Sequence, residues 1–208
     1  MTRGIVLAIL LSSVAACHRD AHQQGNRLPF YESAEFTPRW TRAGDHTIAD
    51  FSLTSQTGAA LTKADLIGHV HVASFMFTAC PNLCPRLVEQ LKRVADAYRN
   101  DDDMRLVSYS VTPGTDTPAR LSAFGREHGI DAARWRLVTG DAKEIARLAR
   151  DSYFADDRRL NEDAGAILHT EKVLLVDRDG RIRGVYNGSL PYDITRLIGD
   201  IRILLDLT

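Results

Sequence analysis

Strand and helix patterns alternate along most of the sequence, and this alternation predicts an α/β fold. Buried-strand patterns at residues 70–77, 106–111 and 135–138 are each followed by a segment with helical signals. The chain then closes with two strand patterns, at residues 172–177 and 182–186, and an amphipathic helix. Because a short turn joins the last two strands in antiparallel fashion, the predicted sheet is mixed, with helices on both faces.

Signals at the helix starts support this order of elements. Apolar residues recur at helical spacing over residues 87–98, directly after a loop that contains two cysteines. Thr117 and Pro118 fit the N-cap and the first position of a second helix. Asp141 and Glu144 fit the capping box of a third helix.

One folded domain accounts for the whole pattern. At 208 residues, of which 44% are apolar, the chain can bury one substantial core. An alternation at Phe51 and Leu53, followed by Gly58, predicts a small hairpin before the main sheet. The complete order is that of a thioredoxin-like fold with an N-terminal hairpin extension. A net charge of -1, with dispersed Lys and Arg, excludes the continuous basic surface that nucleic-acid binding needs.

The N-terminus has the features of an export signal. The apolar run at residues 5–11 is too short to span a bilayer comfortably, and small residues lead from it to Cys17. This pattern resembles a bacterial lipobox and predicts a lipoprotein-type signal peptide at residues 1–16, with lipidation of Cys17. An ordinary signal peptide is the alternative. Residues 17–45 are then the lipid anchor and a flexible tether, and residues 46–208 are the domain.

Lipidation of Cys17 predicts where the protein works. Several acyl chains anchor a protein stably, so the domain would be held at a membrane face. We expect a periplasm-facing lipoprotein of the cell envelope. His18 after Cys17 favours the outer membrane, but the sequence leaves the choice between inner and outer membrane open. In this oxidising compartment a disulfide can form and persist.

Cys80 and Cys84 remain once Cys17 is assigned to the anchor. A single pair does not staple a scaffold, and the chain is long enough to fold without one, so the pair needs a chemical explanation. The CxxxC spacing lets both sulfurs converge, and the helix start at Pro85 offers backbone donors and a dipole that favour thiolate. Thiolate is the form that binds metal and the form that attacks disulfides.

His169 is the candidate third ligand. It follows the polar, irregular segment 152–168, which is long for a connection in a compact domain, and it directly precedes a buried strand. Two thiolates with an imidazole suit Cu(I) and Cu(II), whereas structural zinc would need a fourth ligand that the sequence does not offer. Four other histidines are weaker candidates for a metal ligand. His69 and His71 are predicted to pack in the hairpin or sheet, and His18 and His22 are predicted to lie in the solvated tether.

Four segments resemble the Sco/SenC family in order and spacing: FMFTACPNLCPRL at residues 75–87, SVTPGTDTPARL at 110–121, LVTGD at 137–141 and LHTEKVLLVDRDGRI at 168–182. The resemblance covers most of residues 46–207. It implies a thioredoxin fold, copper bound by two cysteines and a histidine, and a role in assembling the copper centre of cytochrome c oxidase. Carried over residue by residue, the implied ligands are Cys80, Cys84 and His169.

Two positions depart from the family pattern. Thr112 stands where most members have Asp in an SVDP segment, and Asn82 stands where an Asp is common between the cysteines. Both departures remove negative charge near the predicted site, while all three implied ligands are present. The resemblance therefore supports copper binding better than it supports a particular recipient of the copper.

Two functions remain open. The first is a metallochaperone without catalytic turnover, which takes copper from a periplasmic donor and passes it to an oxidase subunit or another cuproprotein. The second is a thiol-disulfide oxidoreductase, which uses Cys80 and Cys84 as catalytic redox thiols with a periplasmic thiol reductant and leaves His169 dispensable. A peroxide reductase and a purely structural disulfide are less well supported.

Overall fold

The structure is a computed structural model that describes residues 28–42, 44–80, 83–155 and 170–207. Within these ranges the strands are β1 Ser52–Ser55, β2 Ala60–Thr62, β3 Val70–Met76, β4 Met104–Ser110, β5 Trp135–Thr139, β6 Lys172–Val176 and β7 Ile182–Asn187. The helices are α1 Leu83–Ala97, α2 Pro118–Glu127, α3 Ala142–Arg147 and α4 Pro191–Leu205, with a short 3-10 turn at Lys63–Asp65. None of these described helices is long and apolar enough to cross a lipid bilayer.

The strands form one sheet in the order β2-β1-β5-β4-β3-β6-β7. β4 pairs in parallel with β3 and with β5, and the crossovers between these neighbours contain α1 and α2. The β1–β2 hairpin, β6 and β7 all pair antiparallel. The predicted mixed sheet is confirmed, and the N-terminal hairpin extends it by pairing with β5.

Two apolar cores cover the two faces of the sheet. On one face α1, α2 and α4 pack against the strands, and Leu91, Phe124 and Ile201 lie in this core. On the other face α3 and the N-terminal hairpin pack around Tyr109 and Ile145. Strands β3 to β7 each contribute to both cores, because successive side chains of a strand point to opposite faces. β3 is buried along its whole length, which explains its largely apolar sequence.

Two predicted helix caps are present. The Thr117 hydroxyl accepts from the Arg120 backbone N–H at 3.3 Å. The Asp141 carboxylate accepts from the Glu144 backbone N–H at 2.9 Å. The Glu144 carboxylate, which the sequence assigns to a capping box, accepts from the Ser52 backbone N–H at 3.1 Å. It therefore ties α3 to the first strand of the hairpin.

An N-terminal arm, residues 28–42, packs on the domain, although the sequence predicts a domain that starts only at residue 46. Leu28 is buried in the core, and Tyr31 forms an antiparallel bridge with β7. Arg183 of β7 donates through Nη2 to the Leu28 carbonyl at 2.6 Å. These packed contacts lie in a stretch that the sequence assigns to the flexible tether. Its few apolar anchors have no periodicity, so only their contacts with β7 reveal that the arm is packed.

The long loop predicted to start at Ser152 begins later in the chain. Leu148–Ser152 forms a π-helical turn that continues α3. Tyr153 and Ala155 are then fully buried in the core beneath the hairpin. The segment around Tyr153 is polar in composition, but burial of the large Tyr153 ring is favourable enough to pack this part of the chain against the core. The rest of the predicted loop, residues 156–169, lies outside the described residues.

His71 on β3 is confirmed as a residue that packs in the sheet. Its side chain is 1% exposed, and its Nε2 lies 3.4 Å from the Tyr153 hydroxyl. Its Nδ1 has no hydrogen-bond partner among the described residues. Burial, with a smaller contribution from His69, lowers the pKa of His71 to about 3. The imidazole is therefore neutral in the folded chain at neutral pH.

We predict that His71 makes the fold acid-sensitive. Its pKa in the unfolded chain is about 6.5, so the unfolded state binds more protons than the folded state below that pH. The stabilising effect is complete above about pH 6.5 and is lost progressively as the pH falls toward the folded-state pKa of about 3. His71→Phe should therefore flatten the acid side of a plot of unfolding free energy against pH, measured by urea denaturation.

The matched control is His128→Phe, which changes a partly buried histidine at the end of α2. This control should keep the steep acid side of the plot. Equal flattening in the two variants, or none in His71→Phe, would contradict the assignment to His71.

Candidate functional site

The two predicted cysteines lie where β3 ends and α1 begins. Cys80 is in the loop after β3, and Cys84 is in the first turn of α1. The two are not joined by a disulfide, and both are buried, with exposed fractions of 8% for Cys80 and 3% for Cys84. The loop that follows a parallel strand stands at the carboxyl edge of the sheet, where α/β folds place their reactive groups. The structure thus brings the pair together at an edge suited to chemistry.

A hydrogen bond links the two cysteines directly. The backbone N–H of Cys84 donates to the Sγ of Cys80, with the nitrogen 3.4 Å from the sulfur. This N–H belongs to the first turn of α1, whose backbone donors have no partner within the helix. A donor aimed at a sulfur atom favours negative charge on that sulfur. The start of α1 therefore places a backbone donor at Cys80.

The thiol of Cys84 is in a different state. Burial, partly offset by a backbone hydrogen bond at Phe77, raises the pKa of the Cys84 thiol to about 12, and the neighbouring Cys80 and Asp116 contribute in the same direction. The prediction that the helix start favours thiolate is wrong for Cys84, because burial outweighs the helix dipole there. Metal binding or disulfide formation must displace the proton that Cys84 holds at neutral pH.

A buried carboxylate lies beside the cysteine loop. Asp116, between β4 and α2, is 0% exposed. Its Oδ2 accepts from the Thr78 backbone N–H at 3.1 Å, the Ser110 hydroxyl at 2.7 Å and the Thr112 hydroxyl at 3.1 Å. Its Oδ1 accepts from the Thr78 hydroxyl at 2.5 Å and lies 3.6 Å from the Arg120 Nε. One carboxylate thus ties the loop before the first cysteine to the loop before α2.

Asp116 is a site residue that the sequence does not predict. The only local signal was its place in the SVTPGTDTP segment, directly before the N-cap Thr117, where an acidic residue is ordinarily exposed. Thr112, noted as a departure from the family pattern, donates its hydroxyl to Asp116. A carboxylate at position 112 would instead face Asp116 as a like charge. Thr at position 112 therefore gives the buried Asp116 carboxylate a hydrogen-bond donor where the usual family residue would not.

The other predicted site residues, His169 and Cys17, lie outside the described residues, as does Asn82. Within the described ranges, no three His, Cys, Asp or Glu side chains converge in the way that a metal ion would require. The described residue nearest to His169 in the chain is Thr170.

The start of β6 lies at the same edge of the sheet as the cysteine loop. β6 pairs antiparallel with β3, with Ser74 opposite Val173. Because the two strands run in opposite directions, β6 begins where β3 ends. Thr170, two residues before β6, is 7% exposed. The described chain that leads out of residue 169 therefore starts at the cysteine edge.

A second contact ties this stem to α1. The Glu171 carbonyl accepts from the Gly188 backbone N–H at 2.7 Å. Gly188 packs so closely on α1 that a Cβ there would lie 2.3 Å from the Leu87 Cδ1. A larger residue at this position would have to displace the Leu87 side chain. The stem at Glu171 is thus held next to the helix turn that carries Cys84.

This mixed sheet, with helices on both faces and a buried dithiol at a strand-to-helix junction, defines a thioredoxin-like dithiol protein. The family model described as SCO1/SenC matches residues 40–206. The chain belongs to the SCO1/SenC family, as the four sequence segments predict.

Individual relatives agree with this assignment. The SCO1 protein homolog of Bacillus subtilis (strain 168) is 28% identical over 162 residues, which are 76% of this chain and 82% of that protein. A SCO1/SenC family lipoprotein from Bacillus anthracis str. Ames superimposes with a TM-score of 0.68 and 28% identity, over 77% of this chain and 95% of that one. ScoI of Bradyrhizobium japonicum, solved with copper bound, superimposes with a TM-score of 0.60 and 26% identity, over 77% and 99% of the two chains.

We predict that Cys84 reacts with alkylating agents only at strongly alkaline pH. Because burial raises the pKa of its thiol to about 12, the thiolate fraction is small through the neutral range. In Cys80→Ser, the rate of iodoacetamide modification of Cys84, followed by peptide mass spectrometry, should still be rising at about pH 10. In urea the same profile should level off near the ordinary thiol pKa of about 8.5. A plateau below pH 9 in the folded variant would contradict the prediction.

Proposed function

We propose that this protein is a copper-binding metallochaperone in which Cys80, Cys84 and His169 hold the metal. The observation that carries the proposal is the antiparallel pairing of β3 with β6, with Ser74 opposite Val173. This pairing sets the stem that leaves residue 169 at the edge of the sheet where both cysteines lie. A copper ion with these three ligands would then draw its donors from the β3–α1 junction and from the segment that leads into β6.

The chemistry of the donors fits copper. Two sulfur donors suit Cu(I), and an imidazole nitrogen accommodates both Cu(I) and Cu(II). The copper-bound structure of Bradyrhizobium japonicum ScoI, a relative of the same family, supports the same metal here. Copper is the cargo of the protein in this proposal. A site with three protein ligands suits transfer, because a docked acceptor can displace them one at a time.

The proposed recipient is the copper centre of cytochrome c oxidase, on the strength of family membership. The protein would take copper from a periplasmic donor and release it to an oxidase subunit or another cuproprotein. No covalent turnover is required, so the proposed function is not an enzymatic one. Displacement of copper would return a proton to Cys84, whose thiol holds it in the metal-free chain at neutral pH.

A second function uses the same thiols. Cys80 and Cys84 are both buried and in the reduced form, and the Cys84 N–H donates to the Cys80 Sγ at 3.4 Å. In a thiol-disulfide exchange, the Cys80 thiolate would attack a partner disulfide, and Cys84 would then resolve the mixed disulfide. The partner is reduced to a dithiol, and the Cys80–Cys84 pair is oxidised to a disulfide that a periplasmic thiol reductant must reduce again.

The location is also a proposal. We infer that residues 1–16 are a signal peptide, that Cys17 is lipidated, and that the domain faces the periplasm from a membrane surface. The lipoprotein of the same family in Bacillus anthracis supports this arrangement. The arm at residues 28–42 would then be the first packed part of the chain after the anchor, so the tether would be shorter than residues 17–45.

We predict that a reduced fragment beginning at residue 26, which lacks Cys17, binds one copper per domain with an absorption band from thiolate-to-copper charge transfer. Cys80→Ser and Cys84→Ser should each abolish this band, because each removes one of the two sulfur donors. His169→Ala should weaken or shift the band and lower the affinity by about tenfold or more, as the loss of one ligand implies. The measurement is a copper titration followed by absorption and metal analysis.

The matched control for this titration is His128→Ala, which removes an imidazole at the end of α2 and should leave the band unchanged. Failure to bind copper tightly, with disulfide-reducing activity that is the same in wild type and His169→Ala, would overturn the chaperone proposal. That outcome would establish the oxidoreductase instead.

We predict that Cys17→Ala abolishes lipid attachment. In cells given an alkyne-labelled fatty acid, the wild-type protein should carry the label and sediment with membranes. Cys17→Ala should lose the label, since the acceptor sulfur is gone. Cys80→Ala, which changes a buried cysteine of the domain, should remain labelled. Label on Cys17→Ala equal to that on wild type would contradict the anchor.

A further inference from the structure

The Asp116 carboxylate is the most extensively bonded buried charge that the described residues place near the cysteines. It is 0% exposed, and it accepts hydrogen bonds from Thr78, Ser110 and Thr112. Burying a charge is costly unless every acceptor position is satisfied, so such a group is kept only where its surroundings are fixed around it. The carboxylate and its donors therefore form a rigid unit.

This unit reaches the cysteine loop from two directions. Thr78 stands two residues before Cys80, and both its backbone N–H and its hydroxyl donate to Asp116, at 3.1 and 2.5 Å. Arg120 in the first turn of α2 donates through Nε to the Thr78 hydroxyl at 2.6 Å and lies 3.6 Å from the carboxylate. Thr78 thus has three polar contacts that fix its position, and the chain to Cys80 is short.

We propose that Asp116 is a positioning residue for Cys80: its buried carboxylate clamps Thr78 and so keeps the first cysteine sulfur buried against the N-terminal turn of α1. The use of this clamp in copper binding rests on the proposed function, but the clamp itself does not depend on a metal. The same contact keeps Cys80 Sγ within reach of the Cys84 backbone N–H, at 3.4 Å.

Thr112 adapts the clamp in this chain. Its hydroxyl donates to Asp116 at 3.1 Å, and its backbone N–H donates to the Ser110 hydroxyl at 3.2 Å. The Thr112 hydroxyl therefore adds one more donor to the single carboxylate. With Asp at 112, two carboxylates would meet where the Thr112 hydroxyl now donates, and their like charges would repel each other. Thr112→Asp should accordingly loosen the clamp.

The test measures how often Cys80 becomes accessible in the metal-free, reduced full chain in detergent. A bulky maleimide modifies Cys80 slowly in the wild type, because its side chain is 8% exposed. Peptide mass spectrometry distinguishes Cys80 from the other cysteines. Asp116→Ala should raise the modification rate of Cys80 by about tenfold or more, since the loss of even one net hydrogen bond corresponds to a change of roughly that size.

The modification rate of Cys80 in Asp116→Asn should lie between the rates in wild type and in Asp116→Ala. Its amide keeps the shape and one acceptor oxygen, but its NH2 group faces donors that the second carboxylate oxygen accepted. Thr78→Val, a milder change that removes one donor to Asp116, should act in the same direction and serves if Asp116→Ala fails to fold. The order of rates is wild type, Asp116→Asn, then Asp116→Ala.

General loss of stability is separated by a matched control. Leu204→Ala removes a buried side chain at the far end of α4, in the same core as α1, and lowers global stability without touching the clamp. At temperatures equally far below each melting midpoint, Cys80 in Leu204→Ala should react as in wild type. Equal rates in Leu204→Ala and Asp116→Ala, or no increase in Asp116→Ala, would overturn the proposal.

A copper titration on the same variants separates this inference from the proposed function. If wild type binds copper, Asp116→Ala should shift the thiolate-to-copper band at unchanged stoichiometry, whereas Leu204→Ala should not. An unshifted band together with unchanged maleimide rates would overturn the positioning role. If wild type binds no copper, the chaperone proposal fails, and the maleimide rates still test the clamp.

Discussion

β3 is an interior strand of the sheet, hydrogen-bonded in parallel to β4 on one side and antiparallel to β6 on the other. The parallel side forces a crossover helix, and that helix is α1, whose first turn holds Cys84. The antiparallel side brings the start of β6 to the edge where β3 ends. The two hydrogen-bond ladders of β3 fix the directions of α1 and β6, so the cysteine loop and the stem at Thr170 share one edge of the sheet. A change in the pairing of β3 would separate them.

Burial at this edge has opposite consequences for the two sulfurs. Cys80 receives a backbone donor from α1, whereas Cys84 lies deeper and keeps its proton because its surroundings cannot solvate a thiolate. A metal or a disulfide is the way for such a pair to lose both protons without leaving the core. The buried charge of Asp116 belongs to the same arrangement, since it fixes the loop and disfavours a second negative charge nearby.

Several parts of the fold were predictable because their signals are local. The strand at residues 70–77, the Thr117 cap and the closing hairpin each depend on neighbours in the chain, through side-chain alternation, capping and turn chemistry. The arm at residues 28–42 was not predictable, because its hydrogen bonds are made with Ile182 and Arg183 of β7, which are distant in sequence. Tyr153 was misplaced in a loop for the same reason: its partners His71 and Tyr109 are distant in sequence.

The sequence by itself determined the mixed α/β architecture, the two cysteines at a strand-to-helix junction and, through its motifs, membership of the SCO1/SenC family. These features are written in periodicity, spacing and residue type. Only the tertiary structure decided which sulfur receives the helix donor, how deeply Cys84 is buried and that Asp116 is a buried charge. The physical reason is that burial and the orientation of hydrogen-bond donors arise from elements brought together by the sheet, and a linear pattern carries neither.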